Sequence, residues 1–166
     1  MPRFAEVCHH EWIAAPPLRV RAQFADLEHH INAQVHPKLR FEILQRSANR
    51  ARYVQEVRLL GLSQRDVFER EFEPDGTMLD TSIEGFNKGG SIVIRFDPQT
   101  RAEVAGTDVE ITIRLPLPPL VGPLIRPLLQ WQVRRELSAA AAEDKRDIEV
   151  GRYGIQAAGA ALPAHA

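Results

Sequence analysis

The sequence predicts an α+β fold in which a strongly curved, seven-stranded antiparallel sheet wraps around a long C-terminal helix, with an internal cavity between them. Three observations predict it. Between Leu39 and Leu115, apolar and polar residues alternate in six successive runs separated by turn residues. A further strand-like run, FAEVCHHEWI, precedes them at residues 4–13. After them, from about Leu120 to Glu149, the alternation stops and an alanine-rich helical pattern takes over.

The first run closes at Ala15-Pro16-Pro17, where prolines end a strand and suit the first turn of a helix. From Leu18 to about Val35, apolar Val20, Phe24, Leu27 and Ile31 recur at intervals of three and four, which predicts an amphipathic helical segment. His36-Pro37 ends it, because the residue before a proline is pushed out of the α region. The six strands that follow are KLRFEIL, RYVQEVRLL, QRDVFEREF, TMLDTSIEGF, GSIVIRF and a long segment, roughly Arg101 to Leu115, expected to bend at Gly106. Turns are expected at Ser47-Ala48-Asn49, Gly61-Leu62-Ser63, Pro74-Asp75-Gly76, Asn87-Lys88-Gly89-Gly90 and Asp97-Pro98-Gln99. Connections this short make successive strands antiparallel neighbours. In the closing helix Leu129, Val133, Leu137, Ala140, Ala141 and Ile148 share one face. Residues 1–150 thus form one domain, and the small-residue stretch 151–166 is expected to be a flexible tail.

Composition narrows the function classes. Of 166 residues, 21 are Lys or Arg and 22 are Asp or Glu, without a long block of either sign, which disfavours nucleic acid as a partner. Neither a secretory signal pattern nor an apolar run of membrane-spanning length occurs, so the expected setting is the cytoplasm without stable membrane insertion. Cys8 is the single cysteine, which excludes an internal disulfide and any cysteine-rich metal or iron–sulfur arrangement.

The order strand, helix pair, six strands and long helix resembles the START-like superfamily, also called the polyketide cyclase or Bet v 1-like group, over residues 4 to about 150. The opening resembles it too: a strand ending in Ile13-Ala14-Ala15-Pro16 enters a helix carrying Val20 and Phe24. The resemblance implies a helix-grip fold with an apolar pocket for a hydrophobic small molecule. On the strand RYVQEVRLL, Tyr53, Gln55, Val57 and Leu59 share one face, and Tyr53 and Gln55 are the expected pocket lining.

Five of six histidines fall within the first 36 residues, and three stand in DLEHHINAQVHP. Neutral imidazoles with one carboxylate form the facial set that non-haem iron oxygenases use, while histidines also occur at polar helix ends. Asp26-Leu27-Glu28-His29 followed by His36-Pro37 is similar to the Asp-x-x-His then His pattern of Rieske-type aromatic-ring oxygenases, and Glu143-Asp144-Lys145-Arg146-Asp147-Ile148-Glu149-Val150 resembles the segment that carries their carboxylate ligand. This second resemblance implies Fe(II) held by His29, His36 and Asp144, with Asp26 behind them as the group that orients an imidazole for catalysis. Because no Rieske domain is present, it also implies an external electron donor. His29 and His36 are seven residues apart, about 10.5 Å along a continuous helix, so the helix must break between them to share an ion. His30, alternative to His29, is also placed in the pocket.

Two readings from other classes stand beside the oxygenase: a metal-free binding or transport protein for a hydrophobic metabolite, and a cyclase-like enzyme working by acid/base chemistry. Glu69, Glu71 and Glu84 on strands, and His9 with Glu11, are further candidates for such chemistry. The stretch LPLPPLVGPLIRPLLQW is expected to pack Leu124 and Leu128 under the sheet, with a cavity gate or an exposed contact patch as the other uses.

Overall fold

The computed structural model describes residues 4–155. The elements are β1 (Phe4–Ile13), α1 (Pro17–Ala25), α2 (Leu27–Asn32), β2 (Arg40–Arg46), β3 (Arg50–Leu59), β4 (Leu62–Phe72), β5 (Met78–Gly85), β6 (Ser91–Arg101), β7 (Val104–Pro116), α3 (Gly122–Glu149) and the short α4 (Arg152–Ile155). All seven strands form one antiparallel sheet in the order β1-β7-β6-β5-β4-β3-β2. Short turns make β2 to β7 a meander, and only the β1–β7 pair joins strands distant in sequence.

The alternation of each strand sends one set of side chains to the concave face, where α3 lies across it. Ile13 from β1, Met78 from β5, Val109 and Ile111 from β7, and Val133 and Ala141 from α3 meet in the principal core. Leu129, Val133, Leu137, Ala141 and Ile148 form the buried face of α3, and Ala140 sits at its margin. At roughly 25 cal/mol per Å² of apolar surface removed from water, this seam is the main reason the sheet curls around the helix.

The expected helix pair after β1 divides at Asp26, which adopts a non-helical φ of −85° and ψ of 81° and whose side chain accepts from the His29 backbone N–H, ending one helix and capping the next. Several local expectations need correction. The β3–β4 turn is Leu60-Gly61, one residue earlier than expected, with both residues at positive φ. The expected turn at Asp97-Pro98-Gln99 is instead part of β6, and the chain reverses at Ala102-Glu103. Pro98 is tolerated there because β5 pairs β6 only as far as Ile94, so the missing N–H faces no neighbour on that side. The β6–β7 register runs through Gly106 without a shift. Gly106 serves close approach: a Cβ there would meet the Ile13 carbonyl oxygen at 2.5 Å and the Trp12 ring at 2.7 Å.

Leu124 and Leu128 do not pack under the sheet. They are 83% and 56% exposed, because the face of α3 that meets the core runs through Leu129 and Val133. In the expected flexible tail, Arg152–Ile155 form a helical turn whose Tyr153 ring lies 4.9 Å from the His29 ring, and residues 156–166 lie outside the described part.

Candidate functional site

The concave sheet and α3 do not meet everywhere, and the gap is a cavity of about 180 Å³. Its wall is mainly apolar, with Phe24, Phe41, Phe68, Ile92, Ile111 and Leu137 among the lining residues. Tyr53, Gln55 and His30 also line it. Three polar groups interrupt this wall.

The first is the helix-side cluster. Residues 141, 144 and 148 lie at helical spacing on α3, so Asp144 shares the buried face of the helix, and Asp147 is buried beside it. Of the charge-rich segment, Asp144 and Asp147 thus face inward, while Arg146 and Glu149 stay exposed. Opposite stand α2 and the coil after it. His30 Nε2 lies 3.1 Å and His36 Nε2 3.3 Å from Asp144 Oδ1, and all three residues are buried. The other ring nitrogens are occupied as well: His30 Nδ1–H donates to the Asp26 carbonyl at 2.7 Å, and His36 Nδ1 lies 2.9 Å from Glu143 Oε2. One nitrogen from each histidine and a carboxylate oxygen of Asp144 all lie within 4.8 Å of one another.

His29 is not part of this set. It turns to Asp147, Nε2 to Oδ2 at 2.7 Å, and Gln23 ties the two aspartates together by donating from Nε2 to Asp144 at 3.0 Å and Asp147 at 3.1 Å. His29 and His30, adjacent on one helix, necessarily point about 100° apart, and the break at Asp26 sets α2 so that His30 takes the cavity side. His30, and not His29, is therefore the residue that stands with His36 and Asp144. The helix ends at Asn32, which lets His36 double back toward His30, their rings 5.1 Å apart. Asp26 does orient an imidazole, but through its backbone carbonyl; its carboxylate caps α2.

Burial alone would raise the Asp144 pKa, but hydrogen bonds from His30 and His36 and their positive charge outweigh it and hold the carboxyl well below its ordinary range. Burial alone would lower that of His36, yet the Asp144 and Glu143 carboxylates outweigh it and raise it above the ordinary histidine value.

The second group is Tyr53, Arg70 and Asp80. Arg70 Nε and Nη2 each donate to a different Asp80 oxygen at 2.7 Å, Nη1 donates to the Phe24 carbonyl at 3.0 Å, and the Tyr53 hydroxyl donates to Asp80 at 3.0 Å. Burial and the Asp80 charge push the Tyr53 pKa well up. The third group is Asp66, which accepts from the Asn87 backbone and side-chain N–H groups at 2.6 and 2.7 Å and from the Ser82 hydroxyl at 3.3 Å.

The remaining sequence candidates fall elsewhere. Glu69 and Glu71 pair with Arg52 and Arg50 on the outer face, and Glu84 is exposed. His9 Nε2 lies 3.6 Å from Glu11. Cys8, His10 and Glu110 also approach one another across β1 and β7, but on the outer face, where His10 already pairs with Asp108 at 2.8 Å. Sequence reasoning missed Gln23, Arg70, Asp80 and Glu143. The signal for Arg70 was available, since it shares strand parity with Phe68 and so had to face inward.

No protein-family model matches this chain, and no curated protein matches it. Solved structures do. A protein of Thermus thermophilus superposes with a TM-score of 0.76 at 24% identity, over 87% of this chain and 97% of the other. The ZhuI aromatase/cyclase of a Streptomyces species gives 0.66 at 20% identity, over 87% and 96%. A START superfamily protein of Mycobacterium smegmatis gives 0.68 at 15% identity, over 87% and 98%. At these identities the likeness speaks for the fold, and the similarity to ring-hydroxylating oxygenases rests on the residue pattern alone. The chain therefore has the helix-grip fold of START and aromatase/cyclase proteins: an antiparallel seven-stranded sheet closed on a long C-terminal helix.

Proposed function

We propose that this protein binds an apolar, cyclic small molecule in the grip cavity and acts on it by acid/base chemistry of the cyclase kind. The observation that carries the reading is the placement of the His30, His36 and Asp144 cluster in the wall of a mainly apolar cavity. An apolar wall binds by excluding water and leaves the few polar groups to orient the ligand. His36, whose pKa the Asp144 and Glu143 carboxylates raise against the effect of burial, is the group for donating to or taking from a ligand oxygen, and Asp144 stabilises the imidazolium. Tyr53 and Gln55 bound the ligand from the sheet side. The aromatase/cyclase and START structures of the same fold support a small-molecule role.

The test is binding of a fluorescent apolar probe, anilinonaphthalene sulfonate, to wild type and to Gln55→Trp, which fills the cavity from its margin. Saturable binding to wild type, weakened about tenfold or more in the variant at unchanged thermal stability, is expected. Equal binding by both proteins overturns the cavity as the site.

A second reading, that the same cluster holds a divalent metal such as Fe(II), is favoured by a separate observation, the proton count. Both ring nitrogens of His30 and of His36 face oxygens that act as acceptors, four contacts in all, whereas two neutral imidazoles bring only two protons. Either the rings are protonated or a cation replaces protons between them. With Nδ1 of His30 fixed by the Asp26 carbonyl, its Nε2 is left as the lone-pair nitrogen, the usual arrangement of a metal-bound histidine. His30, His36 and Asp144 would hold the ion, which would supply Lewis-acid or oxidative chemistry, and Glu143 and Gln23 would steady the ligands. Metal stoichiometry after Fe(II) or Zn(II) loading decides it. Near one ion per chain, retained in His29→Ala and lost in His30→Ala and Asp144→Ala, is expected; retention in His30→Ala excludes this ligand set.

A further inference from the structure

The first turns of α3 and the loop before them present an apolar surface to solvent that the core does not use. Leu120 is 95% exposed, and Pro119, Leu124, Pro127, Leu128 and Trp131 are exposed with it, at helical spacings that put the last four on one side. From residue 118 to residue 135 the chain contains Arg126, Arg134 and Arg135 and no acidic residue. Among the described residues none of these three arginines enters an ion pair. Arg135 instead lies over the Trp131 ring, 5.9 Å from its centroid. The chain as a whole carries a net charge of −1, so this cationic character is local. A helix face that is apolar along one side, whose charged residues up to position 135 are all arginines, and that ends in an exposed tryptophan has the composition of a surface that lies in a lipid headgroup layer.

We propose that the start of α3 docks this protein on an anionic lipid surface. Charge complementarity selects that occupant over a second copy of the chain. A symmetric dimer through this face would bring two sets of unpaired arginines together, while an anionic bilayer offers phosphates to the arginines and acyl chains to Leu120, Leu124 and Leu128. The patch also continues toward the cavity. Gln132, one residue past Trp131, accepts from the Leu60 backbone N–H at 2.6 Å, and the neighbours Leu59 and Val133 line the cavity. At that hairpin Leu62 is exposed too. A docked protein therefore holds this end of the cavity near the membrane, where apolar ligands partition. The docking stands on the surface alone and does not depend on which chemistry the cavity performs.

The experiment is co-sedimentation of the full chain with vesicles of phosphatidylcholine alone and of phosphatidylcholine mixed with phosphatidylglycerol. Trp131 fluorescence is followed in a Trp12→Phe background. Binding to the mixed vesicles with a blue-shifted Trp131 signal is expected, with weak binding to phosphatidylcholine. The double variant Arg134→Glu, Arg135→Glu should bind at least about tenfold more weakly, and added salt should weaken the wild type similarly. Leu124→Ser with Leu128→Ser should abolish the blue shift while leaving the circular dichroism of the protein unchanged. Absence of vesicle binding, or binding indifferent to both double variants, overturns the proposal. A concentration-dependent dimer that is lost in Leu124→Ser with Leu128→Ser, in a protein that ignores vesicles, also overturns it and assigns the face to self-association.

Discussion

Two buried ionic clusters face the same cavity, and they are completed to different degrees. In the Tyr53, Arg70 and Asp80 group a guanidinium meets a carboxylate with both oxygens engaged, its third nitrogen donates to a backbone carbonyl, and the phenol adds one more bond. The charges cancel and every acceptor has a donor. In the His30, His36 and Asp144 group, acceptors, Glu143 among them, outnumber the protons that neutral imidazoles can bring, and Asp147 adds a further carboxylate at its edge, while Gln23 donates to both aspartates. A closed group of this kind, its charges balanced and its carboxylate oxygens served, is architecture. An open one takes up protons or a cation, and chemistry is to be sought there.

Removing Asp80 is the strongest way to break the closed group. Asp80→Ala strands a buried guanidinium and a buried phenol together, and loss of one partner from a buried ion pair costs about 3–5 kcal/mol. Urea unfolding monitored by fluorescence should show that loss as a lower midpoint. Asp144→Asn in the open group should cost less, about 1–3 kcal/mol, because His36, whose pKa that carboxylate raises, can give up its proton when the charge goes, while Gln23 keeps an oxygen to donate to. Equal losses at the two sites would mean that the groups do not differ in the way their hydrogen bonding indicates.

The same contrast accounts for what could be read from the sequence. Strand alternation, turn residues and the helical stripe of α3 are periodic signals, and they place the sheet, the closing helix and the cavity. The open group was legible in composition, since three histidines within DLEHHINAQVHP and an aspartate near the stripe of Ala140 and Ile148 stand out in the chain. The choice between His29 and His30 was not legible. It turns on where one helix stops and the next begins, and a single Asp26 cap fixes that through a dihedral angle that spacing does not reveal. The closed group was overlooked for another reason. Arg70 and Asp80 belong to different strands, and their meeting depends on the β4–β5 register, which pairs them directly. The exposure of Leu124 and Leu128 had the opposite sign from expectation because helical spacing identifies a stripe without saying which stripe faces the sheet.

A pH series sharpens the comparison. The His36 pKa is raised in the folded protein, so its contribution is fully present below the ordinary histidine value of about 6.5 and is lost as pH rises through the raised value. Asp144 is lowered, so its contribution is present above the ordinary carboxylate value of about 3.9 and fades only as pH falls through the lowered one. In chelator-treated protein, thermal stability should therefore be greatest from about pH 4 to 6.5 as far as this group is concerned, and should decline above that window. The slope should vanish in His36→Gln. The Tyr53, Arg70 and Asp80 group contributes nothing to that slope, since Tyr53 is pushed further above its ordinary range. A decline that persists unchanged in His36→Gln would place the titrating group elsewhere.

The smallest expected effect is on the closed group's outermost bond. Tyr53→Phe removes one hydroxyl and leaves the ring, which is stacked on Phe68 with centroids 5.6 Å apart and lies beneath the Arg70 guanidinium at 5.3 Å. Asp80 loses one of its three side-chain donors and keeps both bonds from Arg70. Because the remaining acceptor is still served, the cost should be near that of one net hydrogen bond, about 1 kcal/mol, well short of Asp80→Ala. Chemical unfolding of the two variants side by side measures the difference. If Tyr53→Phe unfolds as readily as Asp80→Ala, the phenol holds the guanidinium in place and the group is not centred on the ion pair. If it is nearly silent in stability yet changes the affinity of an apolar probe, the hydroxyl is shared between Asp80 and the cavity, and even the closed group leaves one bond within reach of the ligand.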